Sequence, residues 1–393
     1  MKRHYIVIFI TVLAAMISIA TFNPILGPLT RGMGLTEIQS GSLVTITGIF
    51  WILGSFIWAK WVRIGRKIIM ISALLGYATT VGAFAIIADT AQQGSFNMQL
   101  LYWVFLGLRA IAGFFFGAIP TMAQGYLMEW TTADNRSSGM ALFGAANGLG
   151  FVLGPAMGAA LSTVGLTAPM YVSAGLLIVV ILLFWSIIPV SSTIAVQEMS
   201  VKLSPLDPRI RLYISIGLIL STVMIMLQVT SGFYMQDRMG VTAQDASRMT
   251  GLGLTITGMF VVFSQILIGR FLKLQPGRLL SIGLSALGTG FLMYLLAPGS
   301  YGIAFSILGI GIGFTMPGYT TAASLAVSDK EQGAVASFAA AVQGVGSFVG
   351  PIVGTILYSL QSNIPYILCV CLVGVFVPVV FLRPRQGSRE KVI

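Results

Sequence analysis

Residues able to do chemistry are scarce in this chain, and their placement tells more than their number. There is one histidine, His4, beside Lys2 and Arg3 at the edge of an apolar run, and there are two cysteines, Cys369 and Cys371. A Cys-x-Cys pair can hold a metal, but no His or acid stands near this one. The two read as small apolar residues of a buried helix, and no metal site is expected. The eleven acids are Glu37, Asp89, Glu129, Asp134, Glu198, Asp207, Asp237, Asp245, Asp329, Glu331 and Glu390, and all lie in loops, in the tail or at the ends of apolar runs. Acid–base or metal-assisted catalysis needs such groups to converge. The chain is therefore not expected to be an enzyme, and no cofactor is expected.

Arg109 is the exception. It stands about ten residues, roughly 15 Å at 1.5 Å per residue, inside an apolar run. An ionisable group at that depth in a membrane is costly and marks a functional site by default. Two roles fit it, proton coupling and the grip of an anionic cargo group; a guanidinium satisfied by carbonyls of the first span is the bland reading. The uncharged polar residues Asn23, Gln124, Asn147, Gln228, Gln265, Tyr319 and Gln343 also lie in apolar runs. They could orient a cargo against walls such as Phe116, Met226, Phe233 and Met316, though each reads at least as well as a helix-packing residue. With no acid at mid-run, a dedicated pump for cations is disfavoured, and neutral, zwitterionic or anionic cargo remains.

The elements that must position these residues are membrane helices. Hydrophobic residues make up 56% of the 393 and charged residues only 8%, with a mean hydropathy of +0.93, against about 25% charged in a soluble domain. Ser137–Gln197, Leu279–Ser328 and Gln332–Leu382 contain no charge at all, and each is long enough for two spans of about 20 residues. The whole chain divides into twelve spans near 5–29, 37–60, 68–88, 99–128, 137–163, 168–189, 210–235, 248–270, 279–297, 301–326, 332–360 and 364–382. The first lacks a small-residue cleavage site and is retained as a span. Of the 22 Lys and Arg, 18 fall on the side of the two termini. By the positive-inside rule both termini are cytoplasmic, in the inner (plasma) membrane. The net charge of +11 is thus topology and not a nucleic-acid site.

Residues 191–208 form a polar, proline-containing linker between six spans (1–190) and six spans (209–393). The phrase GLGFVLGPAMG at Gly148–Gly158 returns as GVGSFVGPIVG at Gly344–Gly354, in the fifth span of each half. Gly150, Gly154, Pro155 and Gly158 thereby correspond to Gly346, Gly350, Pro351 and Gly354, 196 residues on. A nucleotide-binding loop would need a preceding strand and a following acid, and neither is present. Glycines four apart instead let two membrane helices approach closely, and the proline removes a backbone hydrogen bond and is expected to bend the helix. A six-helix unit has been duplicated.

At these residues the chain resembles the major facilitator superfamily, specifically its twelve-helix drug–proton antiporter branch, over the whole length. The fifth-helix signature of that branch reads Gly150, Gly154-Pro155 and Gly158, with Ala159 in its last position and Ala141 where a leading Gly is usual. The fourth-helix signature reads Arg109 to Gly113, with Ala112 in place of Gln. The loop between helices 2 and 3 keeps Arg63, Gly65, Arg66 and Lys67, but Trp58 replaces a Gly and Val62 replaces the acid of a charge network. Glu129, Asp134 and Arg136 are the nearest substitutes. The resemblance implies an all-α membrane protein of two pseudo-symmetric six-helix bundles, working by alternating access as a proton-coupled exporter of small amphipathic compounds. Its partners would be a small-molecule cargo, protons and membrane lipids, and it would be a monomer. A dedicated exporter of a carboxylate-type siderophore or of sugars is the alternative within transporters; a channel or a non-transporting receptor is the alternative outside them.

Overall fold

The computed structural model describes residues 2–94, 97–131, 136–189, 203–272, 274–328 and 331–382. Among them there is no strand. Twelve α-helices follow one another: α1 Lys2–Gly32, α2 Glu37–Lys60, α3 Arg66–Gln93, α4 Met98–Trp130, α5 Arg136–Leu161, α6 Ala168–Ile187, α7 Arg211–Met239, α8 Ala243–Arg270, α9 Pro276–Leu296, α10 Tyr301–Leu325, α11 Gln332–Leu360 and α12 Ile364–Phe381. All twelve contain a segment long and apolar enough to cross a membrane. Most of the linker, 190–202, lies outside the described residues, as does Asp134, and nothing of the Arg136 side chain is described.

Sequence and structure agree on every helix and differ at some ends. The largest differences are five residues each, at the end of α3, which runs to Gln93 and not 88, and at the start of α8, which begins at Ala243 and not 248. Thr242 caps it, donating its hydroxyl to Asp245 and accepting from the Asp245 amide, so a polar turn continues the helix beyond its apolar run. Capping fixes α2 and α4 in the same way, through the Thr36–Gln39 capping box and through Asn97.

By contact the chain groups into two compact units. The first holds residues 1–199, 224–258 and 347–362; the second holds 200–223, 259–346 and 363–393. Within the first unit α5 lies on α1 through the glycines singled out above. A Cβ on Gly150 would overlap Met16, one on Gly154 would sit 2.6 Å from Ala20 Cβ and 2.9 Å from the Ile17 carbonyl, and one on Gly158 would sit 3.4 Å from the Thr21 carbonyl. Thr21 also donates to the Gly154 carbonyl at 2.8 Å. The second copy of the phrase does the same to α7. A Cβ on Gly346 would come within 2.5 Å of Ser221 in the second unit, and one on Gly354 within 2.7 Å of Met226 and 3.3 Å of Thr230 in the first.

The partners correspond as well as the glycines do. Met16 and Ser221, Ile17 and Thr222, Thr21 and Met226, and Ile25 and Thr230 all differ by 205, while the glycines differ by 196. Each half therefore seats its fifth helix on its first helix in the same register, and the nine-residue difference is absorbed by the segments between. Pro155 and Pro351 lie inside α5 and α11 respectively.

Candidate functional site

Arg109 is buried at 2% exposure within the first unit. Its guanidinium carbon stands 4.0 Å over the Phe22 ring of α1, and its Nε donates to the Leu43 carbonyl of α2 at 3.3 Å. The carbonyl that receives it thus belongs to the second helix, whereas α1 supplies an aromatic face. Cation–π attraction is worth about 2 kcal/mol when the cation is desolvated, which offsets part of the cost of burial. Nη1 has no protein partner among the described residues. From that face the rings run on as Phe22–Phe84–Phe105, and a second aromatic string, Trp51–Phe116–Tyr77, packs Phe116 of α4 between α2 and α3. Close contact of α2 with α4 makes this possible: Gly113 and Gly117 on α4 meet the Thr47 and Trp51 carbonyls of α2, where any Cβ would overlap.

A second polar point lies where α1 meets α7, also in the first unit. Asn23 Nδ2 donates to Gln228 Oε1 at 3.2 Å, and both residues are buried. Their numbers again differ by 205. Beside them the contact exchanges symmetrically: Gly27 of α1 takes the ring of Phe233, 3.0 Å from where its Cβ would be, and Gly232 of α7 takes Pro28, at 2.8 Å. Gly27 corresponds to Gly232 and Pro28 to Phe233 by the same interval, so α1 and α7 cross as an isologous pair does about a two-fold axis. Asn23 and Gln228, equivalent to each other, bond across that axis. Composition and spacing placed these two among seven candidates but gave no signal that they pair.

The second unit contributes a cavity of about 510 Å³ lined by Ile214 of α7, by Tyr319, Thr320 and Ser324 of α10, and by Gln332 and Gln343 of α11, among others. Tyr319 is hydrogen-bonded to Gln343, and its ring rests on Gly217 of α7, where a Cβ would come within 2.7 Å. The lining has hydroxyls and amides but no charge. Of the remaining candidates, Asn147 spends its amide on the Phe143 carbonyl of its own helix at 2.8 Å, Gln124 is half-buried, and Gln265 is exposed, as is Met316. Among the described residues of the first unit, no hydrogen bond joins Asn147 or Gln124 to Arg109 or to the amide pair.

The family model of the Major Facilitator Superfamily matches residues 8–351. The chain belongs to the major facilitator superfamily. It is 22% identical over 414 residues to Multidrug resistance protein 2 of Bacillus subtilis strain 168, covering 98% of this chain and 97% of that protein. It is 22% identical over 410 residues to the Quinolone resistance protein NorA of Staphylococcus aureus, covering 100% of both. Among solved structures, a D-xylose-proton symporter superposes with a TM-score of 0.69 at 18% identity, over 96% of this chain and 97% of that one, which speaks for the fold alone.

In this transporter the loop between α2 and α3 is tied to two other helices, α4 and α6. After a short 3₁₀ turn, Trp61–Ile64, Gly65 adopts φ 109°, a conformation that favours glycine, and starts α3. Arg66 then turns inward at 6% exposure and pairs with Glu129 near the end of α4. Gly125, one turn earlier on α4, leaves room for it, since a Cβ there would stand 3.0 Å from Arg66 Nε. Lys67 donates to the Trp185 carbonyl at the end of α6 at 2.8 Å, and Arg63 is exposed. Val62 packs on the apolar core. Glu129 thus takes up a loop arginine inside the first six helices.

The sequence reading missed a further pair of glycine motifs. Gly41 and Gly48 on α2 meet Thr355 and Ser347–Phe348 on α11, and Gly251 and Gly258 on α8 meet Ala159 and Val152 on α5. Both pairs are seven residues apart, close to two helical turns. Thr355 is Ala159 plus 196, so this contact too is made twice. The available signal was a repeated seven-residue glycine spacing, weak beside the Gly-Pro phrase. No cluster of three His, Cys, Asp or Glu occurs among the described residues.

Proposed function

We propose that this transporter is a proton-coupled exporter of small amphipathic compounds, alternating between two access states by the rocking of residues 1–190 against residues 209–393, with 191–208 as the cytoplasmic linker. The observation that carries this reading is the α1–α7 crossing. Two halves of equal build meet through equivalent residues, with an uncharged amide pair, Asn23 and Gln228, at the pseudo-symmetric point. Transporters of repeated halves place cargo near mid-membrane at the repeat interface, and two amides serve a neutral or zwitterionic compound that needs hydrogen bonds in an apolar setting. Arg109 is the coupling residue, a lone buried cation held by an aromatic face and one carbonyl. The names of the multidrug and quinolone resistance relatives support export of drug-like cargo. The distribution of basic residues supports cytoplasmic termini for a monomer that works in the inner membrane, surrounded by lipid.

Reconstitution into proteoliposomes tests this. An imposed proton gradient should drive accumulation of a fluoroquinolone or an amphipathic dye, saturably, and an uncoupler should abolish it. Asn23→Ala and Gln228→Ala should raise the half-saturating cargo concentration with the maximal rate largely kept. Flux indifferent to the gradient would remove proton coupling, and unitary currents would make the protein a channel.

A further inference from the structure

The first unit carries one charged cluster that neither the motifs nor the proposed transport cycle uses. Arg31, in the last turn of α1, donates from Nη1 to Asp237 Oδ1 at 2.7 Å and from Nη2 to Asp237 Oδ2 at 3.2 Å, near the end of α7. The same Nη2 donates to Glu37 Oε1 at 2.5 Å, at the start of α2. Tyr358, near the end of α11, donates its hydroxyl to Asp237 Oδ2 at 2.5 Å. The Phe233 ring, itself seated on Gly27, lies under the guanidinium at 4.8 Å. Four helix ends meet here, two from each half of the sequence. Among the described residues, no other ion pair joins the first six helices to the last six.

The cluster also breaks the internal symmetry. The residue 205 beyond Arg31 is Gln236, and the residue 205 before Asp237 is Gly32. Where the packing contacts are duplicated, this one is made once. Its partners divide unevenly by half: Arg31 keeps Glu37 on its own side, and Asp237 keeps Tyr358 on its own side. Within the cluster, the two bonds between Arg31 and Asp237 cross, together with a side-chain bond between Tyr358 and Arg31.

We propose that Arg31 and Asp237 form a latch closing this end of the helix bundle, released into two self-sufficient pairs, Arg31–Glu37 and Asp237–Tyr358. A buried salt bridge that loses one partner leaves a stranded charge, which would make release expensive. Here neither charge is stranded, and the side chains are a quarter to nearly half exposed, so water completes their shells. The latch therefore discriminates between open and closed without trapping either. The release step rests on the alternating-access reading; the closure of this end does not.

The experiment uses the full-length protein, purified in detergent, so that neither transport nor sidedness enters. Thr355→Cys, in a background with Cys369→Ala and Cys371→Ala, reports opening, because residue 355 is buried against Gly41 of α2. Asp237→Asn and Arg31→Gln should each raise its rate of thiol labelling, by up to about five-fold, the upper end of what an exposed pair is worth. Glu37→Gln should leave the rate unchanged or lower it, because Arg31 then belongs wholly to Asp237. Raising salt from about 0.01 to 0.15 M, which shortens the screening length from about 30 to about 8 Å, should speed labelling of the reporter protein itself but not of Asp237→Asn. This arm needs no latch variant to fold. A salt-independent rate in the reporter protein, or an equal rise in Glu37→Gln and Asp237→Asn, would overturn the latch. Absence of any transport in proteoliposomes, with the labelling pattern as stated, would leave the latch and remove the transport reading.

Discussion

The first six helices and the last six share their packing and differ in what the packing encloses. In both, the fifth helix lies on the first through glycines at matched positions, and in both a seven-residue glycine pair on the second helix receives the fifth helix of the other half. Behind that common frame, α4 buries an arginine among aromatic rings, whereas α10 has no charged residue and instead lines a cavity with a tyrosine and hydroxyls. A duplicated scaffold can keep its packing contacts identical because close backbone approach tolerates only small residues. Its side-chain interiors are under no such constraint, so one copy is free to specialise in charge and the other in neutral hydrogen bonding.

The largest effect should come from the shared frame. Gly154→Leu and Gly346→Leu place a side chain where even a Cβ would stand 2.6 Å from Ala20 and 2.5 Å from Ser221 respectively. Overpacking of this kind costs about 1–3 kcal/mol or more, and here it also parts helices that must remain in contact. Flux should be lost in both, with thermal unfolding of the purified proteins shifted to lower temperature. If one variant transports and the other does not, the two contacts are equal in geometry but not in use.

Next comes the specialised charge. Arg109→Lys keeps the charge but loses the planar guanidinium that stacks on Phe22 and donates to Leu43. We expect gradient-driven efflux to fall by about ten-fold or more, with Arg109→Gln at least as poor. Cargo binding to Arg109→Gln, measured by fluorescence titration, separates the roles. Unchanged binding with lost coupling makes Arg109 a proton-coupling group, and weakened binding makes it a cargo contact. Normal efflux by both variants would leave it a structural residue and move the specialised function out of the first half.

A smaller effect is expected in the second half. Tyr319→Phe removes one hydrogen bond, to Gln343, from a ring that stays packed on Gly217. The net worth of such a bond is about 0.5–1.5 kcal/mol, so the half-saturating cargo concentration should rise a few-fold at an unchanged maximal rate. No change would mean that the cavity lies off the cargo path and that the amide pair at the α1–α7 crossing suffices.

The helices, the duplication and the burial of Arg109 were legible because each is a local or periodic property. Apolar run length reports a span, and Gly150, Gly154 and Gly158 at four-residue intervals report a packing face. What stayed illegible depended on which helices meet. Asn23 and Gln228 have little around them in common besides Gly27 and Gly232, and the interval relating them differs by nine residues from that of the Gly-Pro phrase. Glu129 could be named as the nearest spare acid, but its pairing with Arg66 needed Gly125 to open the route. Polar helix ends such as 243–247 carry no apolar signal, although a helix continues wherever its first turn is capped, here by Thr242.

The smallest effect belongs to the exposed ion pairs ahead of α7 and α11, which have no part in the interior comparison and so serve as its control. Arg209 donates to Asp207 and to Glu331, each at 2.9 Å, and Ser328 donates to Glu331 at 2.7 Å. These bonds hold the Glu331 carboxyl down at about 2, Arg209 being the largest cause, and lower that of Asp207 as well. A carboxylate whose folded value lies below its unfolded one adds stability above the unfolded value and loses it as pH falls through the folded one. The contribution of Glu331 is therefore constant from pH 6 to 8 and fades between its ordinary value of 4.5 and about 2. Comparing thermal unfolding of the unmodified protein with Glu331→Gln should show a small gap that is flat near neutrality and closes in that acid window. Because the group is exposed, high salt should shrink the gap at neutral pH too. A gap that instead changes between pH 6 and 8 would mean that Glu331 titrates near neutrality, and the proton-coupling role would then have to be shared between Arg109 and the entrance to α11.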